Sequence, residues 1–308
     1  MMKKWISSVV VIVGLCLLAA CGSNQVTNNE NGKMVVTTTT GQVADVVKSV
    51  GGDKVDVISL MGPGIDPHLY RASQGDIKKL NDAEIIFYNG VHLEGKMEDI
   101  FEKMSKDKPT VAVADSIPAD QLLTAKGSNS HDPHVWFDIQ AWIHVVDTVE
   151  QELTRLSPEN EEQFKQNASH YKKELEEMDQ YAKEQIATIP EESRVLVTAH
   201  DAFNYFGNAY GLEVMGLQGL STDSEYGLKD VQALVNTIVE RNIKAVFVES
   251  SISGKSIQAV VEGAKKQNHE VVIGGNLYSD AMGEEGTDEG TYIGMFKHNV
   301  DTIVSSLK

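Results

Sequence analysis

The sequence predicts an α/β protein of two lobes with mainly parallel sheets, bridged by one long rigid helix that leaves a cleft between them. Three observations carry this. Short Val/Ile-rich runs alternate with helical patterns from residue 34 onward, and apolar runs separated by helices form parallel sheets covered on both faces. The two halves echo each other: "AEIIFYNGVHLEGKMEDIF" and "KAVFVESSISGKSIQAVV" share strand, turn, a Gly-Lys pair and an amphipathic helix, a likeness that common βα grammar also produces. Between the halves runs one long amphipathic segment bounded by prolines.

Strands are expected at 35–39, 55–60, 84–88 and 110–114 in the first half, and at 194–198, 245–249 and 270–274 in the second. The intervening helix is expected over 157–189. Ser157 is placed to cap it and Pro158 suits the first helical position, while Glu159, Glu161 and Glu162 favour the positive end of the helix dipole. Phe164, Ala168, Tyr171, Leu175, Met178, Ala182 and Ile186 recur at three- and four-residue steps. They form one apolar stripe on a helix about 45 Å long, stopped by Pro190. A coiled-coil partner is the rival reading, but a single such helix packs more naturally across both lobes. The expected organisation is therefore 34–156 for the N-terminal lobe, 157–189 for the linking helix and 190–308 for the C-terminal lobe.

The first 20 residues read as an address. Lys3 and Lys4 precede an apolar run that closes with "LAAC", the layout of a secretory signal. Small residues directly before a cysteine resemble a bacterial lipobox, which implies cleavage before Cys21 and lipid on its sulfur. The run is short for a transmembrane helix. Residues 21–33 are polar and aperiodic, a flexible tether. The chain has two cysteines, Cys16 and Cys21. Cys16 is lost with the signal, so no disulfide scaffold remains despite export. The net charge of −18 over 308 residues argues against nucleic acid or anionic lipid as partner.

Of nine histidines, His170, His269 and His298 have polar settings, His92 and His144 fall in helical patterns, and His131 lies in a polar loop. Three others sit at joints between elements. His68 is in "GPGIDPHLY" after "VDVISL", His134 is in "HDPHVWFD" entering a helical run, and His200 is in "TAHDAFNYFG" after "RVLV". Two share the tripeptide Asp-Pro-His, in which proline stiffens the peptide that presents the imidazole. Asp66 or Asp132 is placed to accept the spare ring N–H and fix the tautomer. Asp280, in "GGNLYSDAMG" after "EVVIG", is a fourth candidate. Each alone has an ordinary explanation as a satisfied polar residue, a cap or a turn. Together they place four N/O donors beyond strand ends, two from each half, where open α/β sheets bind ligands. Three imidazoles and a carboxylate suit zinc, manganese, iron or cobalt. Copper(I) would want thiolate, and calcium or magnesium more oxygen.

Across its whole mature length the chain resembles the metal-specific solute-binding proteins of bacterial ABC importers, especially the manganese-binding lipoproteins of Gram-positive bacteria. The matching segments are "LMGPGIDPHLY", "GVHLEGKMED", "DPHVWFD", "VTAHDAFNYFGNAYGL", "GLSTDSEYGLKD" and "LYSDAMGEEGTDEGTYIGMF". The resemblance implies a metal held in the inter-lobe cleft by His68, His134, His200 and Asp280. It implies Mn2+ as cargo, with Zn2+ also bound. The implied partners are a permease with its cytoplasmic ATPase, and the implied location is the outer face of the cell membrane, with the protein a lipid-anchored monomer. Many manganese-type members carry glutamate where this chain has His200, whereas zinc-type and mixed-specificity members carry histidine. The long His- and acid-rich loop of dedicated zinc importers is replaced by "LLTAKGSNSHD".

A zinc-specific carrier is the nearest alternative. A metal-dependent hydrolase would keep an open coordination position beside a general base. His-Glu-x-x-His is absent, and Glu249 reads more simply as pairing a nearby cation or capping a turn than as that base. "SGKS" lacks the glycine a phosphate loop needs, and "GEEGTDEG" lacks EF-hand spacing and reads as a loop. Nothing in the sequence supports a receptor-binding motif of the kind an adhesin would use.

Overall fold

The computed structural model describes residues 32–124 and 130–308. The signal segment, Cys21, the tether as far as residue 31, and residues 125–129 lie outside the described residues. The first lobe runs β1 (Met34–Thr38), α1 (Gly41–Gly51), β2 (Val55–Ser59), α2 (Gln74–Asp82), β3 (Ile85–Tyr88), α3 (Glu98–Met104) and β4 (Thr110–Ala112). Its strands form one parallel sheet in the order β2-β1-β3-β4. Two long helices come next, α4 (Ile139–Leu156) and α5 (Glu161–Ile186). The second lobe runs β5 (Val195–His200), α6 (Asn204–Tyr210), β6 (Glu213–Gln218), α7 (Leu228–Glu240), β7 (Ala245–Glu249), α8 (Lys255–Lys266), β8 (Val272–Leu277) and α9 (Tyr292–Leu307).

The second sheet differs from a simple copy of the first. β5 pairs with β6 and β7 with β8, all parallel, yet β5 and β7 lie side by side without a ladder between them. β6 was not expected, because "EVMGLQ" is short, polar at both ends and interrupted by Gly216. That glycine serves the packing: a Cβ at 216 would lie 2.5 Å from the backbone nitrogen of Asp201, so only glycine lets β6 pass beneath the turn after His200.

Apolar side chains sort into three clusters. A central one takes Val36, Ile85 and Phe87 from the first sheet, and Leu196 and Phe247 from the second, together with Val43, Trp142, Leu175 and Phe296 from α1, α4, α5 and α9. It is continuous through both lobes. Each sheet carries a further cluster on its other face, Leu80, Ile86 and Phe101 in the first lobe and Val195, Val197 and Ile238 in the second. Alternate residues of one strand thus serve different clusters. A strand covered on both faces reads as an unbroken apolar run for this reason.

The helix expected from residue 157 begins at Glu161, and Pro158–Asn160 form a separate 3-10 turn. Ser157 does not cap it; its hydroxyl donates to Glu159 Oε1 at 2.5 Å and accepts from Asn160 Nδ2 at 2.7 Å. Every residue of the expected stripe is buried, and Asp179 is buried with them. α5 is not solitary, since α4 runs against it, and it also touches α1, α6 and α9. Three tyrosine–carboxylate hydrogen bonds fasten it. Tyr171 donates to Asp45 of α1 at 2.7 Å, Tyr181 to Asp301 of α9 at 2.5 Å, and Tyr210 of α6 to Asp179 at 3.0 Å.

Candidate metal centre

The four candidate residues converge. His68 lies in the loop leaving β2, His134 just before the 3-10 turn Val135–Phe137 that leads into α4, His200 at the last position of β5, and Asp280 just past β8. One donor atom from each lies within 4.8 Å of all the others. All four are buried, with His134 and His200 at 0% exposure and His68 at 4%. Asp280 Oδ2 is 3.7 Å from His68 Nε2 and 3.4 Å from His200 Nε2, and its Oδ1 is 3.4 Å from His134 Nε2. These gaps exceed the usual range of a hydrogen bond. Two donors about 2.1 Å from one ion at the tetrahedral angle lie about 3.4 Å apart, so the spacing suits a shared cation.

The hydrogen-bond inventory points the same way. His68 Nε2, His134 Nε2, His200 Nε2, Asp280 Oδ1 and Asp280 Oδ2 are buried and have no hydrogen-bond partner. Buried polar atoms normally find partners. Here all five face one another, and a cation at their centre would satisfy them together.

The outer nitrogens are tied down. His134 Nδ1 lies 2.7 Å from Asp132 Oδ1, which also accepts the His134 backbone N–H at 3.0 Å, and Asn204 holds the other Asp132 oxygen at 3.0 Å. His200 Nδ1 lies 2.5 Å from Glu249 Oε2, and the His200 backbone N–H donates to Glu249 Oε1 at 2.8 Å. A carboxylate at Nδ1 accepts a hydrogen bond from the ring N–H, which keeps the proton on Nδ1 and leaves the Nε2 lone pair for a metal. Of the two aspartates expected in this role, Asp132 fills it. Asp66 instead accepts the His68 backbone N–H at 2.9 Å. The role of Glu249 was missed: it orients a histidine at the place where β5 and β7 lack a ladder. Its only sequence signal is its position at the end of a strand.

Electrostatics divides the histidines. Burial drives His68 down to about 4. Burial also opposes charge on His134 and His200, but neighbouring carboxylates prevail. Asp132 and Asp280 lift His134 to about 9, and Glu249 and Asp280 hold His200 well above its usual value. Asp280, despite complete burial, is held well below the usual carboxylate range by His200 and His134. Without metal the site balances Asp280 with protons on two imidazoles.

The remaining histidines stay apart. His92 is not helical; it sits at φ 63° in a turn and pairs with Glu98 at the surface. His269 and His298 are half-buried rather than solvated, their Nε2 atoms facing the carbonyls of Ile243 at 2.7 Å and Asn276 at 3.0 Å. The backbone of His131 forms an isolated antiparallel bridge with that of Thr124, His144 lies within α4, and His170 is exposed beside Glu174.

Two α/β lobes sharing a core, with a buried three-His, one-Asp cluster between them, have the donor set of a metal-binding protein, and by its family this one is a substrate-binding component of a transporter, not an enzyme. The chain belongs to the ZnuA family, described as zinc-uptake complex component A, periplasmic, whose profile matches residues 36–306. It is 55% identical over 298 residues to the manganese-binding lipoprotein MntA of Bacillus subtilis (strain 168), covering 97% of each chain. It is 47% identical over 277 residues to the zinc-binding protein TroA of Treponema pallidum (strain Nichols), covering 90% of each. The solved structure of periplasmic zinc-binding protein TroA from that organism superposes with a TM-score of 0.88, covering 90% of this chain and 99% of the other.

Proposed function

We propose that this protein captures Mn2+ outside the membrane for an ABC importer, binds Zn2+ as well, and hands its cargo to a permease driven by a cytoplasmic ATPase. His68, His134, His200 and Asp280 are the ligands. The observation that carries this is the set of five buried, partnerless donor atoms turned toward one point. Four protein ligands close the site, as binding requires, whereas hydrolysis would need an open position. The B. subtilis relative named as manganese-binding supports the choice of cargo. Zinc binds more tightly in vitro, because affinities rise along the divalent series, and manganese is selected in the cell by availability and reversible release.

Lipid on Cys21 anchors the mature chain as a monomer at the extracytoplasmic face. Lobes 34–156 and 190–308 are joined across 157–189. Among the described residues no helix is long and apolar enough to cross a membrane. A second reading, a zinc-specific carrier, is favoured by the third imidazole at His200 and by the zinc-binding relative. Growth of a deletion strain under manganese starvation separates the two. Rescue by manganese supports the first, and rescue by zinc alone, with manganese without effect, establishes the second.

A further inference from the structure

His68 is the one histidine of the cluster for which a carboxylate holds the backbone rather than the ring. Asp66 Oδ1 accepts its N–H at 2.9 Å. The other oxygen of Asp66 reaches across the cleft: Oδ2 accepts a hydrogen bond of 2.5 Å from the Thr222 hydroxyl. Thr222 belongs to residues 219–227, the connection from β6 to α7 in the opposite lobe. The next residue crosses as well, with Asp223 Oδ2 2.7 Å from Lys96 Nζ. That pair is partly exposed, so its contribution is small. The Thr222–Asp66 contact is half-buried and uses a charged acceptor, which makes it the stronger of the two.

The root of this connection is equally specific. Gln218 ends β6 directly opposite His200 in the ladder. Its side-chain amide donates to the carbonyls of Thr222 at 2.5 Å and Ser224 at 2.6 Å. The turn is therefore held in shape from the strand position beside one ligand, and it grips the residue that orients another. A path of hydrogen bonds and backbone runs from His200 through Gln218, Thr222 and Asp66 to His68 without passing through the metal.

We propose that residues 219–227 form a strap and that Thr222 is a positioning residue, holding His68 in the site from the far lobe and thereby setting the rate at which the metal leaves. The inference rests on reading His68, His134, His200 and Asp280 as the ligand set. On this proposal His68 is the first ligand to leave, and the Thr222–Asp66 bond resists the movement of the loop that carries it. A hydrogen bond to a charged group is worth about a factor of ten in such an equilibrium.

The test uses the full chain loaded with Zn2+ or, separately, Mn2+ and mixed rapidly with excess chelator. Thr222→Val keeps the shape and removes the hydroxyl, and it should release metal about tenfold faster. Thr222→Ser restores the hydroxyl and should return the rate to within about twofold of wild type. In an Asp66→Ala background Thr222→Val should add nothing, because the partner is already gone. Melting of the metal-free variants serves as the control: a merely structural role would lower the melting temperature of Thr222→Val in step with its faster release, whereas positioning moves release with melting unchanged. A Thr222→Val protein that binds metal and releases it at the wild-type rate overturns the strap while leaving the ligand set intact. So does equal release from the Val and Ser variants. A wild-type chain that binds neither metal overturns the ligand set, and the strap with it.

Discussion

Glu249→Gln changes one atom and little volume, yet it should cripple the site. Glu249 is 4% exposed and accepts two hydrogen bonds from the same histidine, from the His200 backbone N–H and at Nδ1. Glutamine has one acceptor oxygen and an NH2 group that only donates. If its oxygen serves the backbone N–H, its NH2 faces Nδ1, which must then be the unprotonated nitrogen. The ring proton moves to Nε2, the atom aimed at the metal. If the amide flips, its NH2 opposes the backbone N–H and a buried donor is left without an acceptor. Either way metal binding must reverse a tautomer or tolerate an orphaned group. Loss of an orienting partner typically weakens metal affinity about 10- to 100-fold, or about 1.4–2.7 kcal/mol. Competition titration of Zn2+ against a chromophoric chelator, on wild type and Glu249→Gln, measures it. Glu249→Asp, too short to span both contacts, should fall in the same range. Affinity of Glu249→Gln within twofold of wild type would refute the orienting role.

Three further outcomes are expected. His200→Ala should lose metal affinity sharply without unfolding either lobe, while His200→Glu should retain metal and shift preference from zinc toward manganese through harder oxygen ligation; wild-type affinity for both metals in His200→Ala would remove His200 from the site. His134 and His200 hold protons in the metal-free site, the former up to about pH 9, so metal must displace protons, and affinity should climb as pH rises toward that value. Calorimetry in buffers of different ionisation enthalpy should show proton release at neutral pH, and flat affinity from pH 6 to 9 would contradict it. Cys21→Ala should abolish labelling by radioactive fatty acid, and equal labelling of variant and wild type would rule out the anchor.

The four clustered residues were legible because strand-then-turn grammar and the Asp-Pro-His tripeptides are local. His68 and His134 each sit two residues after an aspartate, so the aspartates could be named as partners from spacing alone. Their division of labour could not, since backbone torsion decides whether Asp66 meets the ring or the amide of His68. Glu249 was hidden because its partner is 49 residues away and meets it only through the adjacency of β5 and β7. β6 was hidden because Gly216, in the middle of the strand, is dictated by the passage under the turn after His200 rather than by strand propensity. The stripe on α5 was fully readable, down to the burial of each apolar residue. Its start was not, because Pro158 is as compatible with a 3-10 turn as with a first helical turn.

The tyrosine ties along α5 and the apolar cluster that ignores the lobe boundary bear on the energy a transport cycle must supply. A carrier that opened by swinging one lobe away would draw shared core into water, and exposing about 200 Å² would cost about 5 kcal/mol, comparable with the whole stability of a small domain. Loops after the strand ends can move without that penalty, since what they uncover is polar. On the proposed release route the membrane machinery need not unwind the frame to empty it; disturbing a few side chains such as Thr222 and Asp66 is enough. The frame is also indifferent to which ion is carried. On the proposed ligand set, affinity and selectivity reside in a few residues at strand ends and in loops that can be exchanged while Tyr171, Tyr181 and Asp179 keep the chassis unchanged.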